Sequence, residues 1–258
     1  MQRATLLFLA MMAQPALAAD WFSELEMRPS ADWTGAYVGA FGGAAISKGR
    51  ATLAHASGVV IPTDVANGLF PRSIAERHVG PAIGLTAGFN VQSGGFVGGI
   101  EADLGYGWTK ARHAFSRLDD TGAMFPIDVH TNTTYGTDFG ALATLRLRGG
   151  YAFGNTLLFG TAGLAAGDVA NHFSLALPEL PYASPDWSKS GLRLGYAVGA
   201  GIEHRLSDAV SVKFETLYIN LADRTVHGTD PDNFGSEAIS YRFDNDLLLP
   251  RLGINVKF

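Results

Sequence analysis

From Phe96 to Trp108 the chain alternates without a break. Phe96, Ile100, Ala102, Leu104, Tyr106 and Trp108 fall on one side with Gly98, and Val97, Glu101 and Asp103 fall on the other with three glycines. A period of two predicts a β-strand with one apolar face ending in aromatics and one face carrying two carboxylates. Phe96 to Tyr106 rises about 33 Å, and a tilt of ~40° reduces that to about 25 Å, the height of the lipid-facing band of an outer-membrane barrel. Strands of soluble domains average roughly 5–6 residues, so this segment is too long for that population.

The same alternation recurs in five more segments. Ile83, Leu85, Ala87, Phe89 and Val91 oppose Thr86, Asn90 and Gln92. Tyr135, Phe139, Ala141, Ala143, Leu145, Leu147 and Tyr151 are expected to share an apolar face opposite Asp138, Thr144, Arg146 and Arg148. Leu192, Leu194, Tyr196, Val198 and Ile202 oppose Arg193, Glu203 and Arg205, and Val210, Val212, Phe214 and Tyr218 oppose Lys213 and Glu215. At the end of the chain Leu248, Leu252, Ile254, Val256 and Phe258 oppose Arg251, Asn255 and Lys257. WTGAYVGAFGGAA from Trp33 and TLLFGTAGLAAG from Thr156 are strand-like but small or apolar on both sides, so their faces stay unassigned.

These segments make eight strands. Ser93 to Gly95, Gly154 to Thr156 and Ser207 to Ala209 are tight turns of the residue types hairpins favour. The other links are long: Lys48 to Pro81, Lys110 to Thr134, Asp168 to Ser190 and Ala222 to Ser240. Short turns at one end and long loops at the other predict an all-β fold: an eight-stranded antiparallel up-and-down transmembrane β-barrel with four long external loops and short periplasmic turns. RLGINVKF, Arg251 to Phe258, is then the closing strand, pairing with the first strand near Trp33 to Phe41 so that neither edge stays open.

The chain's start adds a compartment. Arg3, the apolar run Ala4 to Met12 and the small residues Ala16 and Ala18 have the three-part layout of a secretory signal peptide over residues 1–18. Residues 19–31 read as a periplasmic N-terminal stub, with Trp21 to Met27 lying along the membrane as the alternative, and residues 32–258 as the barrel. Losing residues 1–18 removes one cation and leaves 18 Lys and Arg against 24 Asp and Glu, a formal charge of −6. That balance argues against a nucleic-acid partner. Charged residues are 17% of the chain, below the roughly 25% of soluble domains, and no later segment has the ~18 apolar residues of a membrane-spanning helix. With no cysteine, disulfides contribute nothing.

DWTGAYVGAFGG at Asp32, FVGGIEADLGYGW at Phe96, LLFGTAGLAAG at Leu157, AVGAGIEHRLSDAVSVKFETLYINL at Ala197 and RLGINVKF together resemble the Omp25/Omp31 group of alphaproteobacterial outer-membrane immunogenic proteins. The resemblance implies an eight-stranded barrel, a place in the bacterial outer membrane, and a structural or surface-interaction role. Some members of that group are described as haem binders, and no matching residues carry this over. The order Arg251, Gly253, Val256, Phe258 also resembles the C-terminal signature read by the barrel assembly machinery.

An eight-stranded barrel is just wide enough for side chains to fill. The charges expected inside are Glu101, Asp103, Asp138, Arg146, Arg148, Arg193, Glu203, Arg205, Lys213, Glu215, Arg251 and Lys257. Both signs are present, which suits a packed ion-pair network rather than a conducting path. His55, His78, His113, His130, His172 and His227 fall in the expected external loops and His204 on a strand. None has the i, i+4 spacing of a metal pair, so no metal or cofactor is assigned. NHFS puts His172 and Ser174 two residues apart, resembling the His-x-Ser of lipid A deacylase barrels, with Glu179 as the available carboxylate. Ordinary loop residues are the preferred reading, and no catalytic residue is assigned.

The leading reading is a structural barrel, not an enzyme. Its partners are outer-membrane lipid and lipopolysaccharide, the barrel assembly machinery through the C-terminal strand, and a host or extracellular ligand at the loops. The alternatives are a haem- or small-ligand-binding surface receptor and a lipid A-modifying enzyme.

Overall fold

The computed structural model describes residues 31–58, 60–119, 129–176, 186–229 and 238–258. The signal-peptide segment, all but the last residue of the stub, and Glu179 lie outside the described residues. Eight antiparallel strands close into a barrel in chain order: β1 (Gly35–Ser57), β2 (Ser73–Ser93), β3 (Phe96–Asp119), β4 (Val129–Phe153), β5 (Thr156–Ala176), β6 (Asp186–Arg205), β7 (Val210–Thr229) and β8 (Ala238–Lys257). A short helix, α1 (Val60–Ala66), follows β1. RLGINVKF is the closing strand, with Val256 opposite Val38 and Leu252 opposite Gly42. Gly94 and Gly154, at φ of 61° and 56°, supply the left-handed turns between β2 and β3 and between β4 and β5.

The outer face is apolar where the alternation predicts it. Leu85, Leu104, Leu147 and Leu164 are each more than half exposed, an arrangement that lipid satisfies and water does not. Phe96 and Tyr151 meet edge to face at the turn end of this band, and Tyr106 with Trp108, and Tyr196 with Tyr218, mark its other end. Such aromatic girdles sit at the two membrane interfaces. The faces of the two ambiguous strands are now clear: Tyr37, Phe41 and Ala45 of β1 point inward, as do Leu157, Phe159 and Ala165 of β5.

The strands run much further than the lipid band requires. β4 has 25 residues, which at the same tilt spans about 60 Å against the ~25 Å band. Much of what the sequence marks as long loop is therefore strand. The apolar outer face stops there, which hides the period, while inward aromatics such as Tyr135, Phe173, Tyr241 and Phe243 continue and stay buried. The external links between strands are reduced to 58–72, 120–128, 177–185 and 230–237.

β4 also corrects a face. Its register against β5 shifts between Phe139 and Leu142, and β3 shifts against it between Tyr106 and Thr109. One extra residue turns every later side chain over. Tyr135 and Phe139 therefore point inward and are buried, and Asp138, expected inside, points outward.

The barrel should resist SDS at room temperature and change electrophoretic mobility on boiling. Gly43 lies on the closing seam, where an added Cβ would stand 2.3 Å from the Pro250 carbonyl oxygen. Gly43→Val is expected to abolish the heat-modifiable band. A wild-type chain that runs identically boiled and unboiled would contradict the closed cylinder.

Candidate functional site

Register brings the interior charges together. Glu101 on β3 lies directly opposite Arg146 on β4, Glu203 on β6 opposite Lys213 on β7, and Glu215 on β7 opposite Arg251 on β8. Alternation points all six inward, and curvature brings the pairs across the lumen. Arg146 is the hub: it reaches Glu101 at 2.5 Å, Asp103 at 2.6 Å and Glu215 at 2.6 Å. Arg251 reaches Asp103 at 2.9 Å and Glu215 at 2.5 Å, and Lys213 reaches Glu101 at 2.7 Å. Arg148 pairs with Glu203. Four carboxylates thus face four cations.

Neutral groups take up the remaining lone pairs. The Tyr37 hydroxyl donates to Glu101 at 2.6 Å, and Thr86 and Thr144 donate to Asp103 at 2.6 and 2.9 Å. Ser211 and Asn255 donate to Glu203 at 2.5 and 2.8 Å. The Arg148 guanidinium stacks over Phe159 at 3.9 Å and that of Arg251 over Phe41 at 4.3 Å. Glycine makes the space. A Cβ at Gly88 would stand 2.3 Å from the Tyr37 hydroxyl oxygen.

Apolar layers lie on both sides of the charges. Toward the turns, Trp33, Val97, Ala152, Leu157 and Phe159 form one cluster. Toward the exterior, Phe139, Val169, Leu217, Ile219, Leu221 and Leu249 belong to a second. A narrow cleft between the charges and this second layer runs from Asp103 and Arg251 to Leu217 and Leu249, reaching the wall at Gly105, Gly107 and Gly140. Further out, Tyr135, Phe173, Tyr241 and Phe243 pack with Val65, Leu69 and Phe70 from α1 and the link after it, closing the outer mouth.

A family model described as an outer membrane protein beta-barrel domain matches residues 4–243. The chain belongs to the outer-membrane β-barrel family. It is similar to the 31 kDa outer-membrane immunogenic protein of Brucella melitensis, 27% identical over 263 residues and covering 96% of each chain. It is also similar to the 22 kDa outer membrane protein of Rhizobium leguminosarum, 30% identical across 71% of this chain and 70% of that one. Among solved structures, the outer membrane protease OmpT of Escherichia coli covers 91% of this chain with a TM-score of 0.50 at 10% identity, a likeness of fold alone. The protein is an outer-membrane barrel with outer-membrane immunogenic proteins among its relatives, as the sequence resemblance implied.

In this barrel, most of the expected inward charges are inside, with exceptions at the ends. Lys257 stays at the periplasmic rim, where its ammonium donates to the Asp32 backbone carbonyl at 2.6 Å. Arg205 is turned to the backbone carbonyls of Asp32 and Asp208. Arg224 is inward and 5% exposed, and alternation alone misses it because a register shift between Leu221 and Arg224 flips the end of β7. The first-strand tyrosine, Tyr37, was also invisible to a face-by-face reading of WTGAYVGAFGGAA.

The histidines expected in loops sit on strand extensions instead: His55, His78, His113, His130, His172 and His227 are spread over β1, β2, β3, β4, β5 and β7. Among the described residues no group of three His, Cys, Asp or Glu could hold a metal ion. His172 and Ser174 do lie on one outward face, because β5 continues past them. His172 contacts Asp138 at 3.0 Å, and Asp138 is gripped by both terminal nitrogens of Arg112 at 2.7 and 3.2 Å. Burial raises the Asp138 pKa, but the hydrogen bonds from Arg112 and His172 outweigh it and hold the carboxyl below its ordinary range. This carboxylate is committed to a cation, and no hydrogen bond joins Ser174 to His172 among the described residues, so the pair forms no relay.

Arg146→Met leaves three buried carboxylates short of their shared cation. The expected loss is about 3–5 kcal/mol, the usual result of breaking a buried pair from one side. Arg242→Met, which removes an exposed pair with Asp223, should leave stability unchanged. Urea titration of both variants in detergent micelles checks the contrast.

Proposed function

We propose that the protein is a structural, non-conducting body of the outer membrane that carries surface-interaction segments, and that it is not an enzyme. The observation that supports this most directly is the matched layer of four carboxylates and four cations, sandwiched between apolar clusters. Ions could pass only by breaking several buried pairs at once, each worth several kcal/mol or so to leave unmatched. The strand extensions continue well beyond the lipid band before the external connections begin. A surface role for those connections agrees with relatives named as immunogenic outer-membrane proteins. In planar bilayers the purified protein is expected to show no stable, large conductance, and reproducible open channels would overturn the plugged interior.

The reading extends to biogenesis. Residues 1–18 serve as the export signal, residues 19–31 as a periplasmic stub, and the last strand as the address for the assembly machinery. The Phe258 side chain is 76% exposed, while its backbone N–H donates to the Ala36 carbonyl at 3.0 Å. The ring therefore packs little against the rest of the protein. Phe258→Ala is expected to reduce the amount of folded protein in cell envelopes several-fold while leaving in vitro urea stability unchanged; equal loss in both would make the residue structural only.

A further inference from the structure

The wall is not zipped along its whole height. β6 pairs with β7 from Arg205 opposite Ser211 up to Gly195 opposite Leu221, and no further. β6 continues to Asp186 still paired with β5, and β7 continues to Thr229 still paired with β8. Above Gly195 and Leu221 the two strands thus run side by side without a ladder, leaving a lateral seam. Its base lies at the boundary of the lipid band. Leu192 faces outward there, and its cross-strand partner on β5 is the exposed Asp168.

Two guanidiniums stand at this seam. Arg224 comes from β7, is 5% exposed and reaches over to β6 and β5, donating to the Gly191 and Val169 carbonyls at a long 3.4 Å each. Arg193 comes from β6, two residues beyond Gly191, so that its side chain leaves the strand on the same face. It makes no hydrogen bond or ion pair among the described residues, and the Nε of both arginines is buried without a partner. The Arg193 and Arg224 charges are close enough to repel, and Asp168 offsets this only in part, without forming an ion pair. Among the described residues, the guanidiniums of Arg146, Arg148 and Arg251 reach carboxylates and that of Arg205 a close backbone carbonyl, although the Arg148 Nε is unpartnered as well. Arg193 and Arg224 reach no carboxylate.

We infer that Arg193 and Arg224 form a binding site for a phosphate group in the β6–β7 seam, at the level of the outer-leaflet headgroups. Two planar forks suit phosphate oxygens, and an anion between them would relieve the repulsion and satisfy the buried Nε groups. The phosphate could belong to a lipid headgroup or be free in solution. The inference rests on the outer-membrane location and not on the plugged interior.

The test uses the mature full chain refolded in octyl glucoside, a detergent without phosphate. Native mass spectrometry measures retention of diphosphoryl lipid A, of the same lipid with its phosphates removed, and competition by inorganic phosphate. The phosphorylated lipid should bind at least about tenfold more tightly, the ratio given by one charge-assisted hydrogen bond. Arg193→Gln should lose that preference, as should Arg193→Gln with Arg224→Gln, while Arg242→Gln should keep it. Competition by inorganic phosphate at equal concentration would assign the site to phosphate itself; failure to compete would assign it to the lipid headgroup. Equal binding of the two lipids by the wild type overturns the site, as does a preference that survives in Arg193→Gln. Arg193 holds nothing in the structure, so its variant should fold, as the boiled and unboiled bands will show. Loss of this site would leave a silent conductance recording untouched, which separates the two readings.

Discussion

Hydrocarbon offers no hydrogen-bond partner, so each backbone amide at bilayer height must find one within the protein. That requirement forces β8 onto β1 and makes the chain's last residues a structural necessity. Closure with eight strands then fixes the diameter, and the diameter leaves little room for water around the charges on the inner face. Glu101, Arg146 and Glu215 are therefore satisfied by one another. The ion-pair layer follows from the closed wall and is not an independent source of its stability.

The same constraint makes register decisive. Glu101 meets Arg146 because they are directly opposite on neighbouring strands, and so do Glu215 and Arg251. A slip of one residue would carry each of these charges to the lipid side and send Leu104 and Leu147 inward. Glycine is what lets the matched register pack. With side chains at Gly88 and Gly43, neither the Tyr37 hydroxyl nor the Pro250 carbonyl could stay where it is. A glycine content that would weaken a soluble sheet is here the condition for filling a narrow cylinder with long arginine stems.

The lipid-spanning half of the fold was legible in the sequence because two solvents write opposite patterns on the two faces. Phe96 to Trp108 shows this plainly, and so do the closing strand and the charges from Glu101 to Arg251. Legibility stops where lipid stops. Past Trp108 and Phe139 the outer face turns polar, so strand and loop look alike, and the strand extensions carry the pattern of loops. Register shifts are equally silent: nothing in TYGTDFGAL announces that Asp138 leaves the interior and Phe139 enters it. WTGAYVGAFGGAA failed for a third reason, since small residues on both faces erase the contrast that would have shown Tyr37 pointing in.

Beyond the bilayer the requirement for closure relaxes, because water can satisfy a free backbone edge. The departure of β6 from β7 above Gly195 and Leu221 obeys this rule: the ladder ends near the height at which polar residues such as Asp168 join the leucines on the outer face. Below that height an open edge would cost several kcal/mol or so per unpaired group. Above it, pairing is optional and the edge is free to acquire chemistry. The register shift in β7 falls just there and turns Arg224 toward β6, whereas strict alternation from Leu221 would have pointed it outward. A barrel needs no arginine at that position to stay closed. Its placement beside Arg193, with two buried nitrogens unmatched, is better understood as a demand for an anion that the outer leaflet can supply.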